Sequence, residues 1–258
     1  MIFDTHAHYD DQKYDEDREA VLASLSVNGV GRVANVAADM ASVETTLALS
    51  EKYPFIYAVL GVHPDGVENL TEADMEKLRT LSAHEKVIAI GEIGLDYYGR
   101  ELPKEVQMKW FARQVELSNE VDLPIVVHSR DAAKDTFDIL KNTKTGDGAG
   151  IIHCFSYGKE MAREFLKLGY YIALGGVVTF KNGRNAKEVA SYVPEDRLLL
   201  ETDCPYLSPV PHRGERNSSL NLPYVVSEIA ALRGISEEKL IEITWKNACR
   251  LYRLPEDM

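Results

Sequence analysis

PIVVHSRDAAKDTFDILKNTKTGDGAGIIHCF, residues 124–155, holds two apolar runs separated by a segment with helical spacing, and a histidine directly follows each run. The runs at 124–127 and 150–152 are short and rich in β-branched residues, as buried strands are. Between them, 134–140 spaces its apolar residues for one face of a helix. Strand, crossover helix and strand in that order make a βαβ unit with parallel strands. Outward from this unit the alternation continues. Apolar runs at 1–4, 31–36, 55–61, 87–91, 170–174 and 197–201 predict further strands, and 16–27, 42–52, 72–81, 104–119 and 159–168 predict helices. Two last helices are expected at 222–232 and 237–251. Eight strands alternating with helices predict an α/β fold, a single (β/α)8 barrel of the TIM type over residues 1–258, with a doubly wound open sheet as the rival. The barrel imposes a requirement. Functional residues must fall at C-terminal strand ends, spread over several strands.

Composition narrows the function classes. The chain has 258 residues, 45% hydrophobic and 27% charged, enough apolar material for one large core. No low-complexity tract or Pro/Ser-rich linker divides it. A formal net charge of −12 argues against nucleic-acid binding by the surface as a whole. Metal ions or a few arginines can still make one site locally positive. The three cysteines, Cys154, Cys204 and Cys249, are widely spaced and form no CxxC pair, which fits a reducing cytoplasm rather than a disulfide framework. The opening MIFDTHAHYDD lacks the apolar stretch of a signal peptide, and no apolar run approaches the ~20 residues that cross a bilayer. The expectation is a cytoplasmic protein with no membrane association. No heptad pattern points to an obligate protein partner.

Metal-ligand residue types sit where the barrel requires them. His6 and His8 follow the first strand, Glu92 the fourth (IAIGEIGLD), His128 the fifth, His153 the sixth and Asp203 the eighth (LLLETDCP). Residues i and i+2 of a strand face the same side, so His6 and His8 converge while Thr5 and Ala7 point away. A single strand-end histidine is more often structural, and an acid before Cys-Pro can simply cap a helix. Coincidence at five strand ends is what points to a metal site. Glu92, near the centre of the strand order, is the natural bridge between two ions. One ion would take His6, His8, Glu92 and Asp203, the other Glu92, His128 and His153, each keeping an open position. Asp4 and Glu201, two residues before ligands, are candidates to support ligand imidazoles. Strand alternation turns Cys154 and Cys204 away from the ions. Four imidazoles favour Zn²⁺, Mn²⁺, Fe²⁺ or Ni²⁺ over Mg²⁺.

FDTHAHYD, GVHP, GEIGLDYY, PIVVHSRDAAKDT, HCFS, TFKN, LLLETDCPYLSP and PHRGERN together resemble the TatD family of metal-dependent deoxyribonucleases, within the amidohydrolase-like barrels, nearly end to end. The resemblance implies a TIM barrel, a divalent-metal site with the same six ligands, and Mg²⁺-supported hydrolysis of phosphodiesters. DNA is the implied substrate, with 3'-to-5' exonuclease action and RNA as a second substrate. Three positions depart from the family pattern: Tyr157 where glycine is usual, Cys204 where a small residue is common, and Glu215 where lysine often stands. None is a ligand, so they bear on substrate preference.

His63 in GVHP ends strand three on the same face and is a candidate phosphate contact. Arg130, two residues past His128, could fork onto a phosphate, or pair with Asp131 or Asp135. Arg213 and Arg216 lie beside His212 in the loop after strand eight, and Lys181 and Arg184 in the loop after strand seven. Residues 181–217 hold six Lys/Arg and six Asp/Glu, so this stretch is neutral while the rest carries the −12. Tyr97 and Tyr98 could stack a nucleobase or simply pack a loop. In the expected mechanism Asp203 is ligand and general base, and Glu92 bridges the ions. Two alternatives stay open. One is a metal-dependent ester or amide hydrolase, such as a lactonase or a D-aminoacyl-tRNA deacylase. The other is a barrel that binds nucleic acid or a protein without turnover.

Overall fold

The computed structural model describes residues 1–99, 102–143 and 150–257, and its eight strands form one sheet in sequence order. They are β1 (Ile2–Ala7), β2 (Val30–Val36), β3 (Ile56–Leu60), β4 (Val87–Asp96), β5 (Ile125–Arg130), β6 (Gly150–Ile152), β7 (Tyr171–Leu174) and β8 (Leu198–Leu200). Each strand from β1 to β8 runs parallel to its neighbour. The chain returns through α1 (Arg18–Leu25), α2 (Met40–Lys52), α3 (Glu72–Leu81), α4 (Lys104–Glu120), α5 (Ala133–Thr143), α6 (Lys159–Lys167) and α7 (Arg184–Tyr192), and ends in α8 (Leu222–Arg233) and α9 (Glu237–Leu251). The strands are apolar on both faces because both are covered. Ile90, Val127, Ile152 and Leu198 pack with Phe111, Phe165, Val189 and Ile229 of the helices. Phe3, Val36, Val59, Ala89, Val126, Ile151, Ala173 and Leu199 fill the interior together with Trp245, Ala248 and Tyr252 from the last helix and its end. Among the described residues no helix is long and apolar enough to cross a membrane.

The junction of β8 with β1 is built differently from the other seven. Ala7 and Cys204 form a single parallel bridge. The His8 N–H donates to the Cys204 carbonyl at 2.8 Å, and the Asp203 N–H to the His6 carbonyl at 2.9 Å. Side chains supply the rest. The Thr5 hydroxyl donates to the Leu200 carbonyl at 2.9 Å. Asp4 accepts from the N–H and hydroxyl of Thr202, at 3.0 and 2.7 Å, and from the Ser219 hydroxyl at 2.6 Å. Asp4 is therefore a seam residue, correcting the expectation that it supports a ligand imidazole. Its oxygens are taken by hydroxyl and backbone donors.

Burial pushes the Asp4 carboxyl up to about 7, against hydrogen bonds that favour its anion. The folded chain holds a proton there that an unfolded chain, with its carboxyl near 3.8, releases. That stabilisation is complete below about pH 4 and is lost as pH rises toward 7, up to about 4 kcal/mol. Urea unfolding of metal-free protein at about pH 5 and about pH 8 should register the loss, and Asp4→Asn should flatten it. An unchanged slope in the variant would clear Asp4 as the source.

Strand ends differ from the sequence expectation in an informative way. Strands expected at 1–4, 87–91 and 124–127 run on to Ala7, Asp96 and Arg130. His6, Glu92 and His128 therefore lie inside strands rather than beyond them. Polar residues read as loop, yet here they continue the ladder, with Gly94 opposite His128 and Asp96 opposite Arg130. Gly94 is required at its place: its φ is 146°, and a Cβ would lie 1.9 Å from the His128 carbonyl oxygen. Gly94→Ala should cost about 2–4 kcal/mol of stability, read as a lowered melting temperature. A melt matching wild type would mean that β4 and β5 can part without penalty. Between β7 and β8 the alternation of strands with helices calls for a helix without fixing its range, and α7 stands there. Its buried face is Ala186, Val189 and Ala190.

Candidate metal centre

Glu92 lies at the middle of the cluster, 4% exposed, and its two carboxylate oxygens face different neighbours. Oε2 is 3.4 Å from His6 Nε2 and 3.7 Å from His8 Nε2. Those two nitrogens are 3.0 Å apart, and Asp203 Oδ1 lies 3.7 and 3.5 Å from them. Oε1 is 2.8 Å from His153 Nε2 and 2.9 Å from His128 Nδ1, with His63 Nε2 at 3.9 Å. The structure thus brings all six expected ligands together, in the two sets the strand order suggests. Local backbone delivers two of them. Asp203, at φ 58°, and Cys154, at φ 43° beside His153, take the left-handed conformation just past β8 and β6. Left-handed non-glycine residues cost energy and concentrate at functional sites.

Partners behind the rings set their tautomers. His8 Nδ1 donates to the Val36 carbonyl at 2.7 Å, which leaves Nε2 as the inward lone pair. His128 is turned the other way: Nε2 donates to Asp96 Oδ2 at 3.2 Å and Nδ1 faces Glu92. Asp96 is a residue that the sequence reading missed. Four places after Glu92 on the same strand, it shares that face, which was the available signal. His63 Nδ1 accepts the Asp65 N–H at 3.2 Å, so its proton lies on Nε2, a donor toward the site.

Electrostatics agree with a cation-binding role. Burial alone would push the Glu92 carboxyl up, but the surrounding imidazoles, His153 foremost, and the bond from His128 hold it well below the usual range. Asp203 is also depressed, burial being outweighed by the His8 bond and by His153 and His6. Burial lowers His8, yet its Asp203 bond and Glu92 raise it to about 9, so without an ion Nε2 carries a proton that a bound cation displaces to use the lone pair. Burial takes His63 down to about 3, so it is neutral. Two imidazole nitrogens 3.0 Å apart, two ionised carboxylates and buried Nδ1 atoms on His6 and His153 that lack a hydrogen-bond partner fit divalent cations.

The cluster forms the floor of a cavity of about 900 Å³. Asp10, Asp11, Asp39 and Asp65 line one wall, and Arg130 is the one Lys/Arg side chain among the described residues lining it. Its guanidinium lies 4.0 Å over the ring of Tyr98, which is 58% exposed, and no ion pair ties it to Asp131 or Asp135 among the described residues. Tyr97 is committed to packing, with its hydroxyl on Asp135 at 2.9 Å. The structure does not bring Arg213 or Arg216 to this cavity. Arg216 forks onto Asp17 at 2.8 and 2.5 Å, and Arg213 lies over Phe180 at 4.4 Å. Proximity in sequence to Asp203 misled here, because the intervening loop carries both arginines outward. Cys204 is buried as expected, but Cys154 lines the cavity. Strand alternation stops at Ile152, and the left-handed turn sets the direction after it. Tyr157 fills its place by bonding Ser129 Oγ at 2.9 Å and the Ala132 N–H at 3.1 Å. Glu215 pairs with His212 at 2.9 Å.

Comparison with known proteins adds to this geometry. A profile of the family described as TatD related DNase matches residues 3–253. The metal-dependent hydrolase YabD of Bacillus subtilis (strain 168), itself called uncharacterized, is 44% identical over 254 residues, covering 98% of this chain and all of that protein (100%). YcfH of Escherichia coli (strain K12), described in the same words, is 38% identical over 257 residues and covers 98% of this chain and 96% of its own. The crystal structure of YjjV, a TatD homolog from Escherichia coli K12, superposes with a TM-score of 0.92 at 31% identity, over 98% of each chain.

Proposed function

The chain belongs to the TatD-related DNase family, and from that premise we propose that this metal-dependent hydrolase cuts phosphodiester bonds near the ends of DNA strands as a 3'-to-5' exonuclease, with RNA as a second substrate. The observation that carries the proposal is the carboxylate of Glu92, whose two oxygens face separate donor sets on the floor of an open cavity. His6, His8, Glu92 and Asp203 would hold one divalent ion, and Glu92, His128 and His153 a second. Bound there, such ions lower the pKa of water and neutralise charge on phosphoryl oxygens.

The chain's own groups do the remainder. Asp203, kept ionised by its neighbours, accepts the proton of the attacking water. The Nε2–H of His63 and the guanidinium of Arg130 donate to phosphoryl oxygens as charge builds on them. Charge also shapes the approach. Asp10, Asp11, Asp39 and Asp65 repel a continuing phosphate chain on their side, while Arg130 stands on the cavity wall with Tyr98 beneath it. A strand can therefore extend past Arg130, with its terminal nucleotide against the acidic wall.

Linear single-stranded DNA labelled at its 5' end should shorten stepwise in Mn²⁺ or Mg²⁺ and survive intact in chelator. A circular strand of the same sequence should persist. Equal loss of the circle would overturn end-directed cutting. Survival of every nucleic acid under all divalent ions tested would overturn the nuclease reading.

A further inference from the structure

His6 and His153 turn Nε2 toward Glu92, at 3.4 and 2.8 Å, and their rings stack at 3.8 Å between centroids and 13° between planes. Their Nδ1 atoms are both buried without a hydrogen-bond partner, and so is Oε2 of Glu201. One nitrogen from each ring and one Glu201 oxygen lie within 4.8 Å of one another, with His153 Nδ1 at 3.7 Å from Glu201 Oε2. Glu201 is fully buried. Its other oxygen accepts the Cys154 N–H at 2.5 Å, which fixes the carboxylate in place.

Buried polar atoms without partners are rare, and three within one buried His6–His153–Glu201 cluster ask for a common explanation. An imidazole that ligates through Nε2 keeps its proton on Nδ1 and needs an acceptor there. A carboxylate oxygen has two lone pairs. We propose that Glu201 is a positioning residue whose Oε2 accepts the Nδ1–H of both His6 and His153, tying a ligand of one ion to a ligand of the other. This rests on the two-ion reading above. The consequence is cooperative loading. The ion that orders His6 also orders Glu201, and Glu201 then presents His153 in the ligating tautomer to the second ion. Coupling of this kind needs no movement of the barrel, only one shared acceptor.

The competing occupant is a third cation held between Glu201 and the two rings, and stoichiometry separates the two. Full-length wild type, Glu201→Gln and Glu201→Asp are titrated with Mn²⁺ by calorimetry, and the Zn²⁺-loaded proteins are labelled with ¹⁵N-histidine. Wild type should take two ions with a Hill coefficient above 1 and show Nδ1–H tautomers for both His6 and His153. In Glu201→Gln an amide N–H₂ meets the two ring N–H groups. Affinity for both ions should fall about 10- to 100-fold, cooperativity should vanish, and both ring signals should shift together. Should that variant fail to fold, Glu201→Asp carries the test, its carboxylate drawn back from both rings and weakening both ions together. The proposal is overturned if both ions bind the variants as they bind wild type, if only one ring signal moves, or if stoichiometry drops from three to two with the remaining affinities unchanged. If wild type binds no divalent ion, the two-ion reading itself fails, independently of Glu201.

Discussion

If Glu92 bridges two ions as proposed, Glu92→Gln should lower metal content from two ions to at most one and reduce hydrolysis by about 1,000-fold or more. The side chain keeps its size, so the effect comes from the oxygens. Oε1 is within 2.9 Å of both His128 Nδ1 and His153 Nε2, and Oε2 within 3.7 Å of both His6 and His8 Nε2. An amide presents one acceptor and one donor group, so it can serve one set and must turn N–H bonds against the other. It also removes the anion that the surrounding imidazoles stabilise. Metal analysis after dialysis, alongside rates on end-labelled DNA, checks both halves. Two ions retained at the wild-type rate would take the bridging role away from Glu92.

Asp203→Asn should lower kcat by about 100- to 10,000-fold with little change in KM and in melting temperature. Asparagine tolerates the left-handed backbone at φ 58° as readily as aspartate does, so the turn after β8 survives. What is lost is a proton acceptor 3.5 Å from His8 Nε2, together with one ligand charge. The pH profile gives a second check. Burial raises the Asp203 carboxyl, but the His8 bond and the neighbouring His153 and His6 bring it below its usual 3.8. Ionised Asp203 is therefore present above that value, and its contribution to the rate should disappear only as pH falls through the lowered range. Near wild-type turnover in the variant would require another base.

The barrel was legible because its strands are buried on both faces and interrupted by helices of ordinary amphipathic pattern. The cluster of candidate ligands was legible because His, Glu and Asp stand out at the ends of apolar runs. What escaped depended on direction rather than identity. Asp96 reads as a polar residue after a strand, and only the continuation of β4 turns it behind His128. Cys154 defeats the alternation rule because its backbone leaves the strand conformation. Arg213 and Arg216 have suitable charge near Asp203, but a long loop carries them to Phe180 and Asp17. Asp4 looked like support for an imidazole, and closing the sheet uses it first.

That closure reaches beyond stability. The hydrogen bond from Thr202 to Asp4 joins residues 198 positions apart, and His6, His8 and Asp203 all depend on the same junction. Contacts so remote in the chain carry the highest loop-closure cost and form late. A polypeptide still being synthesised possesses five of the six candidate ligand residues well before it acquires Asp203, and lacks the ring that aims them. The candidate metal centre thus assembles only with the complete, closed ring, at the end of the chain's synthesis rather than along it.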